Sequence, residues 1–200
     1  VRHTSGYLCA PMTEERADQL GLPLMWPTSQ DPLRTRYTVA VDAACGITTG
    51  IDAAQRARTA RVLADATSTP TDLVRPGHVL PLRARTGGVL ERRGHTEAAV
   101  DLARLAGLEP VGLIGELVGD DGMCLRADAI ADLACAEGLA FITIDQLAQW
   151  RRVHDTVLAA PPRRVMALAS AQLPTRYGHF TIAGYRDNLT GAEHVLLVGE

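Results

Sequence analysis

Short apolar runs rich in β-branched residues alternate with helical patterns through the middle of the chain. The runs YTVAVD, HVLPL, VGLIGEL and FITI predict strands. Helices are predicted at LAQWRR and at three further ranges: 52–66, 96–106 and 127–137. Gly107 and Gly138 end the last two. Such alternation predicts an α/β protein, a layered mixed sheet with flanking helices, whose strands are largely joined by crossovers and whose pattern is also compatible with antiparallel members.

The two ends of the chain differ from this pattern. The first stretch, VRHTSGYLCAPMTEERADQLGLPLMWPTSQD, carries no recognisable cap or strand, so the chain is expected to begin inside a domain. Paired prolines and charges predict a linker at 153–164, and the strand-like pieces HFTIAGY and EHVLLV follow it. We therefore expect a domain at 1–152 that lacks its N-terminal part, the linker, and a short β-rich fragment at 165–200, with the chain cut at both ends.

Charge and cysteine content narrow the class of partner. The net charge of -3 and the scattered arginines give no basic face for nucleic acid. No apolar run reaches the roughly 18 residues of a membrane helix. The four cysteines show no C-x-x-C spacing, which disfavours a structural zinc site and fits reduced thiols, buried or inert, in a cytoplasmic protein. The predicted partner is a small molecule.

The helix predicted at 52–66 has four alanines on one side. They are spaced at helical intervals: Ala53, Ala57, Ala60 and Ala64. A stripe of small residues allows a helix to approach a sheet closely, so this side is expected to face the sheet.

The turn ERRGHT, which leads directly into an apolar helix, predicts a phosphate site. A helix N-terminus exposes unpaired N–H groups and the positive end of the helix dipole. Gly94 lets the backbone approach an anion, and Arg92 or Arg93 can add donors for phosphate oxygens. A capping turn with solvated arginines is the alternative. Ligands of doubly wound sheets lie outside the carboxyl ends of the strands. Glu116 is predicted to end its strand and so to lie at such a position, whereas His78 is predicted to begin its strand.

Two histidines and a carboxylate are the candidates for proton transfer and metal binding. His78, His95 and Glu116 could move protons and hold a divalent ion, although a single histidine is more often structural. Magnesium prefers more oxygen ligands than this set supplies. At least one further carboxylate is therefore expected from elsewhere.

Long motifs give the chain a resemblance to a known family. They are TSGYLC, YTVAVDA, GITTGI, RPGHVLPLRARTGGVL, RGHTEAAVDLARLAGLEPVGLIGEL and GLAFITIDQL. Over about residues 1–152 the sequence resembles 3,4-dihydroxy-2-butanone 4-phosphate synthase, a lyase of riboflavin biosynthesis. The resemblance implies a homodimer that uses Mg²⁺, or Mn²⁺, to convert D-ribulose 5-phosphate into 3,4-dihydroxy-2-butanone 4-phosphate and formate.

The same resemblance implies roles for particular residues. Arg92 to Thr96 would bind the phosphate end of the substrate, and His95 would also be a metal ligand. His78 and Glu116 match the catalytic positions of the family, without an assignment of base and acid between them, and Glu116 would also contact the substrate. Cys9, in GYLC, would line the site.

Some features depart from the family pattern. An acidic E-D-x-R-E-N run that supplies metal and substrate contacts has no counterpart in the sequence. Asp52 and Gln55 replace a serine and an aspartate, and Gly115 stands where cysteine is common. A non-catalytic module that has lost its metal site is therefore one alternative, and an unrelated α/β phosphatase or isomerase is another.

The C-terminal piece has a resemblance of its own. LPTRYGHFTIAGYRDNLTGAEHVLLVGE is similar to the opening of GTP cyclohydrolase II, which is often fused to the synthase in this order. That family binds zinc through clustered cysteines farther along its chain. Zinc and the second activity are therefore not expected for the residues present.

Overall fold

The computed structural model describes residues 3–28, 30–155, 165–187 and 190–199, which contain a mixed sheet and a separate antiparallel sheet. Four strands form the mixed sheet: β1 Thr4–Met12, β2 Val41–Ala43, β3 Leu73–Arg83 and β4 Ile114–Leu117. Their order across the sheet is β2-β3-β1-β4, with β1 parallel to β3 and the other two pairs antiparallel. The predicted mixed α/β architecture is confirmed.

Five α-helices lie in the described part of the chain: α1 Glu14–Gln19, α2 Ala53–Ala64, α3 His95–Leu105, α4 Ala127–Ala136 and α5 Ile144–His154. Side chains cap three of them, because Thr13, Asp52 and Thr143 each accept a hydrogen bond from a backbone N–H of the first turn. As predicted, α3 and α4 end before Gly107 and Gly138, which adopt φ values of 69° and 64°.

The two faces of the mixed sheet bury different clusters. Helices α1 and α2 cover one face, where the buried residues are Ala10, Met12, Ala17, Leu20, Leu22, Val41, Leu63, Leu73 and Val79. The opposite face carries a smaller cluster of Cys9, Leu80 and Leu82, packed by Tyr37, Ala40 and Ile114. Neighbouring residues of β1 and β3 alternate between these clusters, as the pleat of a strand requires.

A third cluster fixes the start of α3. Val89, from a 3₁₀ turn at Gly88–Leu90, packs with Ala98 of α3 and with Leu147 and Ala148 of α5. The turn that precedes α3 is therefore held from two sides, by α3 itself and by α5.

Several expectations are corrected by the tertiary structure. The stretch around TSGYLC, which showed no strand signal, forms the central strand β1. FITI is not a strand, because Thr143 and Gln146 form a capping box that begins α5, and a short apolar run does not by itself decide between strand and helix. His78 lies inside β3 and does not begin it, since the strand starts at Leu73.

The boundary of α5 also differs from expectation. Val153 and His154, the first residues of the predicted linker, belong to α5. The remainder of that predicted linker, from 156 to 164, lies outside the described residues.

The packed side of α2 is not the alanine stripe. Its buried residues are Arg56, Thr59 and Leu63, whereas Ala53 is exposed. Thr59 accepts a hydrogen bond from the backbone N–H of Ala43 at 3.0 Å, and Arg56 donates to the carbonyl oxygen of Gly6. The helix therefore contacts the sheet through polar groups that bond strand backbone, which an apolar pattern does not reveal.

The predicted C-terminal strands are confirmed. They are β6 Gly178–Asp187 and β7 Glu193–Gly199, and a strand that was not predicted, β5 Val165–Thr175, joins them in an antiparallel sheet of order β5-β6-β7. A hydrogen bond of 3.1 Å runs from the guanidinium of Arg34 to the carbonyl oxygen of Thr190 in the turn between β6 and β7. None of the helices in the described ranges is both long and apolar enough to cross a membrane.

Candidate active site

The strand register places three of the predicted site residues on one face of the mixed sheet. Cys9 of β1 pairs with Leu80 of β3 and with Ile114 of β4, and cross-strand partners point to the same face. His78 precedes Leu80 by two residues, and Glu116 follows Ile114 by two. Cys9, His78 and Glu116 thus share the face opposite α1 and α2, where Cys9 is buried and the other two are exposed.

His78 is paired with a carboxylate that sequence reasoning did not assign. Oδ2 of Asp42, in β2, lies 2.7 Å from Nδ1 of His78, and Oδ1 accepts the backbone N–H of His78 at 3.0 Å. The Asp42 side chain is 9% exposed and that of His78 is 40% exposed. The pair therefore orients the imidazole and leaves its Nε2 available to a ligand. The criterion applied to Glu116, a carboxylate ending a predicted strand, also selects Asp42.

The loop between β2 and α2 closes over this pair. Gly50 has a φ of 80°, and a Cβ at this position would lie 2.3 Å from Oδ2 of Asp42 and 2.9 Å from Nδ1 of His78. Glycine is required there for both conformation and space. The amide oxygen of Gln55 accepts the backbone N–H groups of Thr48 and Gly50 at 3.0 and 2.6 Å. Gln55 therefore holds the loop in place.

The turn before α3 has the predicted open N-terminus. Gly94 is the N-cap residue, and no side chain accepts a hydrogen bond from the first turn at that position. His95 is exposed, whereas Thr96 is buried. A Cβ on Gly94 would lie 2.1 Å from Nη1 of Arg92 and 2.7 Å from Oε2 of Glu97. The glycine therefore permits the close approach of an ion pair to the backbone.

The two arginines of this turn have different partners. Arg92 donates to Oε2 of Glu97 at 2.6 Å, to the carbonyl oxygen of Leu33 at 3.0 and 2.8 Å, and to Oγ1 of Thr35 at 3.1 Å. Its guanidinium is thus engaged in fixing the loop at 31–35 to α3. Arg93 is half-exposed and pairs with Asp145 of α5.

One cavity adjoins this turn, and another lies beside the loop that Arg92 contacts. Arg93 and His95 line a cavity of about 660 Å³ bounded by apolar residues of α3, α4 and α5. A second cavity, of about 1010 Å³, lies beside the loop at 24–37 and includes Tyr37 and Arg85 in its lining. His95 makes no hydrogen bond or ion pair with any residue that the structure describes, so its imidazole is available within the first cavity.

Electrostatic interactions connect the sheet face to the Arg92 loop. Burial raises the pKa of the Cys9 thiol to about 11, so Cys9 is a neutral thiol at pH 7. Burial raises the pKa of Tyr37, and its proximity to the Cys9 thiol and to the Asp31 carboxylate raises it further, whereas the Thr35 side chain and Arg92 lower it. The backbone N–H of Thr35 lowers the pKa of Asp31. Tyr37 packs against the cluster that contains Cys9 and lies within electrostatic range of Arg92.

The comparison with known proteins agrees with the motifs. The family model for 3,4-dihydroxy-2-butanone 4-phosphate synthase matches residues 1–150. The chain belongs to this synthase family. Family membership argues against an unrelated α/β phosphatase or isomerase, and it confirms the resemblance drawn from the motifs.

Relatives of the synthase extend beyond this chain. The riboflavin biosynthesis protein RibBA of Salinispora tropica is 52% identical over 198 residues, which are 99% of this chain and 48% of that protein. RibBA of Nocardia farcinica is 52% identical over 200 residues, again 99% of this chain and 47% of the relative. The chain thus spans about half the length of the curated relatives it matches.

Solved synthase structures share the fold. The Candida albicans synthase is 50% identical with a TM-score of 0.70, over 75% of this chain and 74% of that one. A synthase in complex with two magnesium ions is 45% identical with a TM-score of 0.73, over 78% and 79% of the two chains. The two-domain synthase RibBX of A. baumannii is 39% identical with a TM-score of 0.72, over 99% of this chain and 56% of that one.

The described residues do not by themselves form a magnesium site. No group of three or more His, Cys, Asp or Glu side chains in the described ranges stands close enough to hold an ion. Cys9 is a protonated thiol at neutral pH and so is not a suitable ligand. His95 therefore offers one imidazole nitrogen, whereas magnesium prefers several oxygen ligands.

Proposed function

We propose that this chain is the synthase part of a riboflavin biosynthesis protein, a lyase that converts D-ribulose 5-phosphate into 3,4-dihydroxy-2-butanone 4-phosphate and formate. The supporting observation is the oriented His78–Asp42 pair on a sheet face shared with Glu116, within a chain of the synthase family. The reaction begins with removal of the proton at C3 of the sugar phosphate, which forms an enediolate. A general acid then assists the loss of water from the enediolate, before the carbon skeleton rearranges.

His78 and Glu116 are the proposed proton-transfer groups. Asp42 occupies Nδ1 of His78, so His78 exchanges protons through Nε2. The carboxylate of Glu116 is exposed on the same sheet face and is the second group available for proton exchange with a bound substrate. Cys9 lines the site as a neutral thiol that packs beneath these groups, since its raised pKa makes it a poor nucleophile at pH 7.

The phosphate end of the substrate is proposed to bind at 92–96. His95 and Thr96 provide backbone N–H groups at the open N-terminus of α3, whereas the N–H of Gly94 donates to the carbonyl oxygen of Arg92 at 2.9 Å. The fixed guanidinium of Arg92 adds positive charge beside them. Arg93 reaches the phosphate if it exchanges Asp145 for the ligand, which is feasible because that ion pair is exposed.

Magnesium, or manganese in its place, is proposed as the cofactor, with His95 as the ligand that the described chain supplies. A bound divalent ion would stabilise the negative charge of an enediolate. Its remaining ligands would be oxygen atoms of the substrate and side chains other than those discussed above. The proton transfers assigned to His78 and Glu116 are independent of this ion.

The wider organisation is also a proposal. The synthase domain would extend through the end of α5 at His154, and 165–200 would be the opening of a GTP cyclohydrolase II-like domain, with the linker between them. The relatives that match 99% of this chain and continue beyond it support this order. We further propose a cytoplasmic homodimer without nucleic-acid or membrane partners and without zinc in the residues present.

Formate release from D-ribulose 5-phosphate by the full-length natural protein tests this function. We expect His78→Gln to reduce the rate by roughly 10²- to 10⁴-fold, the range for loss of an acid–base group. His95→Ala should also reduce the rate, because it removes the proposed metal ligand. His179→Gln, an exposed histidine of β6, is the matched control and should leave the rate unchanged. Undiminished formate release by the His95→Ala variant would overturn the assignment.

A non-catalytic synthase-like module is the second candidate, because the described residues do not form a metal-ligand group. Magnesium-dependent binding of ribulose 5-phosphate with formate release by the full-length protein would exclude it. Retention of the fold with neither binding nor turnover would establish it.

A further inference from the structure

The loop at 84–94, which joins β3 to α3, is held by buried carboxylates of α3. Oε1 of Glu97 accepts the backbone N–H of Arg85 at 3.0 Å, and Oε2 accepts Nη1 of Arg92 at 2.6 Å. The Glu97 side chain is 2% exposed. One acid therefore fixes the first and last parts of the loop against the helix.

A second buried acid, one turn further along α3, fixes the middle of the loop. Oδ2 of Asp101 accepts the backbone N–H of Val89 at 2.8 Å and Nη1 of Arg151 at 2.6 Å. The same Nη1 donates to the carbonyl oxygen of Gly87 at 3.2 Å, and Arg151 also donates to Asp155 at 2.9 and 2.7 Å. Arg151 of α5 thus bonds both α3 and the loop backbone.

This arrangement leaves little freedom for the loop. The side chains of Arg151 and Asp101 are 5% and 1% exposed. Gly88 has a φ of 61°, and a Cβ there would lie 2.2 Å from Oδ1 of Asp101 and 2.4 Å from Nη1 of Arg151. The loop backbone therefore passes directly against the ion pair, and any displacement of the guanidinium displaces the loop.

Removing the guanidinium would leave a buried charge without its partner. The Oδ1 atom of Asp101 already has no hydrogen-bond partner among the described residues. If Arg151 were lost, the carboxylate could be satisfied only by water entering beside Gly87 and Val89 or by movement of the loop. Either change alters the backbone that leads to Arg92.

We propose that Arg151 is a positioning residue for substrate binding, acting from α5 through Asp101 and the loop backbone to set the place of Arg92 and the N-terminus of α3. This inference rests on the proposed function, because the loop matters for catalysis only if the phosphate binds at 92–96. Arg151 lies outside the charged turn itself and on a helix that contributes no predicted site residue. A substitution there should therefore change substrate affinity without changing any group that contacts the substrate.

The test compares Arg151→Met with Arg152→Met in the full-length protein. Arg152 is the exposed neighbour on α5, so it controls for loss of one positive charge. At temperatures well below the unfolding transition, we expect Arg151→Met to lower kcat/KM for ribulose 5-phosphate by roughly ten- to a hundredfold, mainly through a higher KM. Arg152→Met should match the natural protein. Arg151→Lys, which keeps the charge without the fork, should give an intermediate KM.

Amide hydrogen exchange gives a readout that is independent of turnover. The N–H of Val89 should exchange at least about tenfold faster in Arg151→Met than in Arg152→Met, because its acceptor is no longer held in place. A lower unfolding temperature with unchanged KM and unchanged exchange at Val89 would overturn the proposal and leave Arg151 a stabilising residue only.

Two further results keep the test decisive. If Arg151→Met does not fold, Arg151→Lys and Asp155→Asn, which removes the outer partner of the guanidinium, take its place with the same KM and exchange readouts. If the natural protein releases no formate, the proposed function fails. The hydrogen exchange at Val89 then decides by itself whether Arg151 positions the loop.

Discussion

Modification of Cys9 by a disulfide reagent tests the chemistry of the candidate site most directly. The chain has four cysteines, of which Cys9 is buried and the other three are exposed free thiols. The sequence predicted buried or inert thiols, and only Cys9 is buried. We expect the protein to show three rapidly reacting thiols and one slowly reacting thiol, assigned to Cys9.

The size of the difference follows from the pKa of Cys9. At pH 8 a thiol with a pKa of 9.0 is roughly 9% thiolate, whereas one with a pKa of about 11 is roughly 0.1% thiolate, a ratio of about 90. The intrinsic nucleophilicity of a thiolate rises with its pKa, with a coefficient of about 0.4–0.5, which offsets a factor of roughly 6 to 10. The raised pKa alone should slow Cys9 by about tenfold, and its burial should slow it further.

The assay follows an aromatic disulfide reagent in excess, first with the folded protein and then in denaturant. In the folded protein the rate of the slow phase should rise about tenfold per pH unit up to pH 10, since the thiolate fraction of Cys9 is still rising. In denaturant the four thiols should react together, with a plateau above about pH 9. Cys9→Ser should abolish the slow phase and leave the rapid phases unchanged.

Two results would refute this reasoning. One is a folded protein in which all four thiols react at a single rate at pH 8. The other is a slow phase that persists in Cys9→Ser. Either would mean that Cys9 is accessible and ionisable, and its assignment as a buried, neutral thiol would be wrong.

Three further predictions concern stability. The pKa of Cys9 in the folded protein lies above its unfolded value of 9.0, so the stabilisation from this thiol is complete below pH 9 and is lost as the pH rises to about 11. In urea unfolding, the free energy of unfolding should fall by roughly 2–3 kcal/mol over that range relative to Cys9→Ser. Gly50→Ala should lower the free energy of unfolding by more than the roughly 1–2 kcal/mol expected for a non-glycine residue at positive φ, because its Cβ would collide with Asp42. Gly138→Ala, whose Cβ would have nothing within 4 Å, should lower it by only that amount, as measured by chemical denaturation. Thr143→Ala should lower the free energy of unfolding by about 1 kcal/mol through loss of the α5 cap, and an unchanged denaturation midpoint would contradict the assigned cap.

Local patterns were sufficient for most elements of the fold. Helices α3 and α4 and their glycine ends follow from apolar periodicity and stop signals, which act over a few residues. The β6 and β7 strands follow from β-branched residues between turn signals. By contrast, the central strand β1 was missed, since GYLCAPM has no clear alternation and is a strand because β3 and β4 pair with it on both sides.

The candidate site was only partly predictable for the same reason. The motifs selected His78, His95 and Glu116, because chemically distinctive residues can be recognised one at a time. Asp42 was not assigned, since its role depends on a partner 36 residues away in the chain. Arg92 was expected to be a free donor for a phosphate, and its bonds to Leu33 and Thr35 come from a loop with no local signal for that contact.

The sequence by itself determined the α/β class, the family and most of the residues proposed for the site, because each depends on local periodicity or on the identity of a side chain. The tertiary structure decided which of those residues share a face, which carboxylate orients His78, and which buried acids hold the turn before α3. It decided these because they depend on strand register and on helix packing between residues far apart in the chain. A buried charge such as Asp101 takes its meaning from Arg151, a partner that only the folded chain brings within 2.6 Å.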